Sequence, residues 1–381
     1  MWFLLLCGID VLQQADFDAL QGKKVGLITN HTGRTISGEQ TVDVIFKAKG
    51  VQLKAIFSPE HGLRGAVDES VDDTKDTITG LPVYSLYNLK EKGEARYKPD
   101  KEQLKGLDVL VFDIQDVGAR FYTYTGTMGY CMEAAAELGI KFIVLDRPNP
   151  IGGLRVAGPV SEPAFKGLTS YFPMPTQHGM TAGELAQMFK GELKLKLDLQ
   201  VIWCDTWKRN QYWDQTGLVW TNPSPNMRSL TQAMLYPGIC YVEATNISVG
   251  RGTDTPFEIV GAPYINGREL ANELNAAQMP GVAFYPVEFI PKDSKFKGEK
   301  CKGVSIIVTD RSKLDAVQVG MKLAALLKEY KEWESDKLVR LVHNQKTVNT
   351  LFEKGYDAAR AEWLPELAKF MTMRKKYLHY K

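Results

Sequence analysis

Cysteine is scarce: Cys7, Cys131, Cys204, Cys240 and Cys301 are spread over 381 residues. An odd number at wide spacing frames neither a disulfide scaffold nor a CxxC metal knuckle, which leaves buried thiols as the simplest role. An excess of charge of one sign is also missing, since 47 Lys and Arg face 45 Asp and Glu. That balance does not point to a polyanionic partner such as nucleic acid. No run past the amino terminus has the apolar length of a membrane span, so a soluble folded part with no transmembrane span is expected. Met1 to Cys7 is apolar but lacks a basic n-region and is too short for a secretory h-region. If it is the remnant of a truncated export signal, the protein is periplasmic or secreted; otherwise it is cytoplasmic. A lipoprotein signal ending at Cys7 fits poorly, because Leu6 is bulkier than the small residue such cleavage prefers.

Several motifs are absent as well. No GxGxxG follows the first strand-like run, where Gly26 leads into Leu-Ile-Thr-Asn-His-Thr-Gly, and there is no GxxxxGK[ST], HExxH or GxSxG. The commonest dinucleotide, P-loop, zinc-protease and serine-hydrolase readings are thereby set aside, and no cofactor is expected. His31, His61 and His178 could meet a metal beside Asp116, but such wide separations carry no ligand spacing, so no metal is assigned.

What the chain does have is alternation. The β-rich runs VGLITN, LKAIFSP, VLVFDIQD, KFIVLDR and LQVIWCD fall between Lys24 and Asp205, and helical stretches separate them. Helices are expected over Glu39 to Lys49, Thr123 to Leu138 and Thr181 to Lys190, the last opening with Thr181 and Glu184 at capping-box spacing. Near-continuous Val, Ile, Leu and Phe within the runs predicts a parallel sheet buried on both faces, an α/β architecture. Beyond about Trp207 the alternation weakens. Strand-like runs at Ile239 to Val249, Val282 to Ile290 and Gly303 to Thr309 precede a helix-rich tail, as in an α+β domain. Two domains are therefore expected, 8–215 and 216–381, with TNPSPNMRS as a hinge or crossing. The basic run Arg374, Lys375, Lys376 reads as a solvated helix end.

Ligands of open parallel sheets bind outside the carboxyl ends of the strands. Four successive strand ends here carry polar groups: Asn30, His31 and Thr32; Glu60, His61, Gly62 and Arg64; Gln115 and Asp116; Asp146 and Arg147. One such loop would be ordinary solvated connection, whereas four on one rim build a site. Ser58-Pro59-Glu60-His61-Gly62 is the sharpest, because proline restricts the turn and glycine admits close backbone approach. Glu60 is the first candidate catalytic group, against the alternative of a cap or surface ion pair. Asp116 is an acid or base partner unless it merely caps the next helix; His61 tunes Glu60, binds substrate or satisfies a backbone carbonyl, and His178 is a substrate-binding candidate. Arg120 and Tyr122 follow the third strand end, a guanidinium and a ring suited to carboxylates and sugar faces. Glu133, inside the next helix, is held in reserve. Farther on, Glu243, Asn246, Arg251 and Asp254 lie in a glycine-flanked polar stretch. There Arg251 either faces an anion or pairs with Asp254 in a turn.

GLITNHTG, FSPEHGLRG, FDIQDVGARFYTY, LDRPNP, PTQHGMTAGELA, SPNMRS and ATNISVGRGTDTPFE occur in that order. Together they make the chain resemble, over nearly its full length, the exo-β-N-acetylmuramidases of the NamZ type. The resemblance implies a Rossmann-like N-terminal domain, a smaller C-terminal domain and a cleft between them. It also implies release of N-acetylmuramic acid from the non-reducing ends of peptidoglycan fragments, with Glu60 as the catalytic glutamate. Asp116, Glu243 or the substrate's own acetamido group would act opposite it. The lactyl carboxylate of muramic acid calls for a cation, for which Arg64, Arg120 and Arg251 are the candidates. Rival readings are a non-catalytic cell-wall sugar-binding module and a metal-assisted hydrolase of another bond. Relatives commonly carry a full export signal before the Gly8 start, and there this sequence departs from them. No residue pattern fixes an oligomeric state.

Overall fold

A computed structural model describes residues 5–59, 63, 73–87 and 97–381. Its strands are β1 (Lys24–Thr29), β2 (Gln52–Ser58), β3 (Thr74–Lys75), β4 (Pro82–Ser85), β5 (Val109–Asp113), β6 (Lys141–Leu145), β7 (Ala157–Val160), β8 (Pro175–Gln177), β9 (Leu199–Ile202), β10 (Ile259–Ala262), β11 (Val282–Phe289) and β12 (Cys301–Val308). Helices are α1 (Gly8–Gln14), α2 (Thr41–Lys47), α3 (Lys101–Leu104), α4 (Thr123–Leu138), α5 (Ala182–Glu192), α6 (Leu230–Glu243), α7 (Gly267–Ala276), α8 (Ala316–Leu327), α9 (Val339–Val342) and α10 (Gln345–Arg374, broken at Gly355).

The first half is a sheet in the order β3-β4-β2-β1-β5-β6-β9, parallel throughout except for the edge strand β3. Alternate residues of each strand enter opposite cores, as the pleat requires. Val109 and Val111 of β5 join Val25, Leu27, Ile143 and Leu145 on one face, whereas Leu110 and Phe112 join Ile28, Phe142 and Val144 on the other. This two-sided burial is why the runs look continuously apolar in sequence. The chain lays β2 on one side of β1 and later places β5 on the other. The order therefore reverses beside β1, and a crevice opens at the strands' carboxyl ends.

The second half holds an antiparallel sheet, β10-β12-β11, with α7 packed on it, α8 against α7, and α6 and α10 against α8. Its core is continuous with one face of the first sheet: Val260, Val304, Leu323 and Trp363 belong to the same apolar cluster as Phe57 and Phe112. The strand expected at Ile239 to Val249 begins instead as α6, despite Pro237 within it. Packing overrides local preference here. A Cβ on Gly238 would lie 1.6 Å from the Ala316 carbonyl oxygen, and one on Gly320 would lie 2.1 Å from that of Gly238, so α6 and α8 cross backbone to backbone. The expected α4 is observed over the same residues, and Thr181 caps α5, its hydroxyl accepting from Glu184 N–H at 3.3 Å.

The basic run at the end of α10 is not a solvated end throughout, because Arg374 is buried and donates to the carbonyls of Gly153 and Gly179 at 2.5 and 2.7 Å. Beyond it the tail returns to the first sheet. Tyr380 O–H donates to Asp146 at 2.5 Å, and its ring meets Trp207 edge-on.

Candidate active site

At the crevice, short polar contacts stitch β1 to β5. Asn30 Oδ1 accepts from Thr32 N–H at 2.9 Å and from its hydroxyl at 2.6 Å, and Thr32 Oγ1 accepts from Gln115 N–H at 3.0 Å. The loop can turn this tightly because residue 33 is glycine: a Cβ there would lie 2.3 Å from Thr29 Oγ1 and 2.9 Å from the Asp113 carbonyl oxygen. His31 Nε2 donates to the carbonyl of Asn222 at 2.7 Å, joining this loop to the TNPSPNMRS segment. Beneath them Arg147 grips Asp113 through Nε at 2.5 Å and Nη2 at 2.9 Å, a buried two-pronged ion pair.

Asp116, just past the end of β5, is 7% exposed. Its Oδ2 accepts from Gly118 N–H at 2.7 Å and faces His178 Nε2 at 3.4 Å, while Oδ1 has no partner among the described residues. His178 is fully buried, and its Nδ1 accepts from Met180 N–H at 3.2 Å. The ring proton therefore sits on Nε2, turned toward the carboxylate. Two residues 62 positions apart in sequence thus form one corner of the rim, with one carboxylate oxygen left over. An unsatisfied buried oxygen costs about 1–3 kcal/mol, and such atoms concentrate where a ligand or reaction supplies the missing partner.

A second cluster comes from the other half of the chain. Arg251 pairs with Glu243 and not with Asp254, so the expected turn pair does not form. Burial opposes charge on Arg251, but Glu243 beside it leaves the guanidinium shifted upward overall. Glu243 also accepts from Cys240 Sγ at 3.3 Å. Arg251 lies over the Phe257 ring, Phe257 meets Tyr236 edge-on, and Tyr236 meets Tyr122 at 5.6 Å. Tyr122 therefore reaches this cluster from the first half.

Other candidates have structural partners. Arg120 is fully buried and donates to His343 Nδ1 and to the carbonyls of Leu341 and Val342, both at 3.1 Å. With the guanidinium committed to the seam between the halves, a substrate carboxylate has no access to it. Burial lowers the Arg120 pKa to about 10, and burial together with Arg120 depresses His343 to about 3. Asn246 donates to the Glu332 carbonyl at 2.7 Å and accepts from Glu334 N–H at 2.8 Å, fixing a loop. Asp254 is exposed, 3.7 Å from Arg228. Glu133 accepts from Tyr171 O–H at 3.0 Å. Glu60, His61 and Arg64 lie outside the described residues; β2 ends at Ser58 and Pro59 follows it.

A cavity of about 800 Å³ opens on the same rim, lined among others by His31, Arg34, Gln115, Arg147, Trp213 and Trp220. Arg34, Trp213 and Trp220 carried no signal in the linear reading. Arg34 could have been found by its place in the loop that follows Asn30, but the two tryptophans arrive from a segment with no strand to locate it. Among the described residues, no cluster of three or more His, Cys, Asp or Glu side chains could hold a metal ion, and no helix is long and apolar enough to cross a membrane.

Family models of exo-β-N-acetylmuramidase NamZ match the chain twice, the N-terminal part over residues 25–231 and the C-terminal part over 234–380. The linear reading had placed the division after residue 215. Peptidoglycan β-N-acetylmuramidase NamZ of Bacillus subtilis (strain 168) is 42% identical, covering 98% of this chain and 91% of that protein. Crystal structures of two DUF1343 family proteins of Bacteroides fragilis NCTC 9343 share the fold. One has a TM-score of 0.91 at 36% identity and the other 0.78 at 30%, each covering 99% of both chains.

Proposed function

The chain belongs to the exo-β-N-acetylmuramidase NamZ family and is a glycoside hydrolase of peptidoglycan; on that premise we propose how its residues share the chemistry. Cleaving the bond to a terminal N-acetylmuramic acid needs a proton for the leaving oxygen and a second group for the oxocarbenium-like centre. Glu60, next in sequence after Pro59 at the end of β2, is the proton donor. Asp116 is the second group, acting on water or on the N–H of the substrate's acetamido group. Glu243 is the weaker choice, because Arg251 and Cys240 already occupy its oxygens.

The observation that carries this assignment is the uncommitted Asp116 Oδ1, buried beside the strand-order reversal and next to a histidine whose proton faces the same carboxylate. Incubation with a chromogenic β-N-acetylmuraminide and its glucosaminide analogue tests the reading. Release is expected from the muraminide alone, and Glu60→Gln is expected to lower it by about 100-fold or more. Equal turnover of both sugars would remove the muramidase assignment, and binding without cleavage by the unmodified protein would make it a sugar-binding module.

A further inference from the structure

The cavity beside the catalytic corner has a charge pattern that the roles above do not use. Among the described residues no Asp or Glu lines it, although Arg34 and Arg147 both do. Arg147 is neutralised by Asp113. Arg34 is different. Its Nε donates to the His31 carbonyl at 3.0 Å and its Nη1 to the Gly38 carbonyl at 2.8 Å, and no carboxylate among the described residues pairs with it. Two main-chain carbonyls thus aim the guanidinium without cancelling its charge, which is how an anion receptor is built.

Of the three cations considered for this role, Arg120 is committed to the seam and Arg251 pairs with Glu243, while Arg64 lies outside the described residues. The rest of the lining is aromatic and polar together. Trp213 and Trp220 meet edge to face at 5.6 Å, and the buried Trp213 Nε1 and Gln115 Oε1 have no hydrogen-bond partner. Rings, one spare donor, one spare acceptor and an uncancelled cation suit an acidic sugar derivative. Its volume of about 800 Å³ falls within the range of small-molecule sites. Gln115, which lines the cavity, adjoins Asp116 in the chain.

We propose that this cavity seats the muramyl unit and that Arg34 reads its lactyl carboxylate, making Arg34 the residue that separates muramic acid from glucosamine. This rests on the glycosidase reading, but it is tested by binding alone. Calorimetric titration with N-acetylmuramic acid, its lactyl amide and N-acetylglucosamine compares a free carboxylate, a capped one and none. The acid is expected to bind about tenfold or more tightly than the amide. Arg34→Gln should erase that preference while leaving the affinity for the amide in place. Should that variant not fold, Ser37→Asp provides a second measurement: Ser37 is an exposed residue lining the same cavity, and a carboxylate there should weaken the acid and spare the amide.

Equal binding of acid and amide by the unmodified protein overturns the proposal. So does a folded Arg34→Gln that keeps the preference, or a Ser37→Asp that weakens both ligands alike. Selective binding of the acid by a protein that cleaves no muraminide would support this site and remove the hydrolase assignment.

Discussion

Four of the carboxylates buried among the described residues near the carboxyl ends of the parallel strands divide three to one. Asp113 is saturated by Arg147 and the Thr41 hydroxyl. Asp146 accepts from Thr181 O–H, Gly183 N–H and Tyr380 O–H. Glu184 accepts from Arg209 and from the backbone N–H groups of Thr181, His379 and Tyr380. Asp116 alone keeps an oxygen with no partner. Burial by itself therefore does not mark chemistry at this rim. Saturated acids are joints that hold loops and tail to the sheet, and the unsaturated one is the group proposed to react.

Asp116→Asn should break this contrast most visibly. The shape and the bond to Gly118 N–H are retained and only the charge is lost, so kcat is expected to fall about 100-fold or more while the urea midpoint hardly moves. A variant that keeps its rate but loses stability would place Asp116 with the joints. Arg147→Met tests the opposite class. It strands the Asp113 charge in the interior, with an expected loss of about 3–5 kcal/mol in denaturant unfolding. Normal stability in that variant would show that the pair is not a joint.

Tyr380→Phe should have the smallest effect, about 1 kcal/mol, and a characteristic pH dependence. Burial pushes the Asp146 pKa up to about 7, while the Tyr380 hydroxyl works against that shift by favouring the charged carboxylate. Because the native pKa lies above the unfolded value, the proton on Asp146 stabilises the fold at low pH, and that contribution is lost as pH rises through about 7. Removing the hydroxyl should therefore cost little in acid and more above neutrality. Urea midpoints for both proteins across that range would show it, and a constant difference would mean that the hydroxyl acts through the bond it accepts from Cys204 N–H and not through the Asp146 charge.

Much of the first half was legible because its signals are local. Near-continuous apolar runs mark strands buried on both faces, and the Thr181 and Glu184 spacing marks a helix start, which is where α5 begins. The polar strand ends were legible for the same reason, but the meeting of Asp116 with His178, which follows β8 of another sheet, was not. The misreadings share a cause. Ile239 to Val249 looked extended because its β-branched residues were visible, whereas the α6–α8 crossing at Gly238 and Gly320 was not. Arg120 looked like a ligand-binding cation until α9 and His343 brought carbonyls and a ring nitrogen to it.

By itself the sequence determined which residues form strands and helices in the first half, which polar groups stand at the strand ends, and the family to which the motif series belongs. These depend on neighbours a few positions apart, where spacing and side-chain shape are sufficient. Only the tertiary structure decided which buried charges are cancelled and which are left over, because the partner that saturates or spares a charge arrives from distant chain. Asp113 is answered by Arg147, and Asp146 by Tyr380 at the far end, while Asp116 and Arg34 meet no Lys, Arg, Asp or Glu of opposite charge among the described residues.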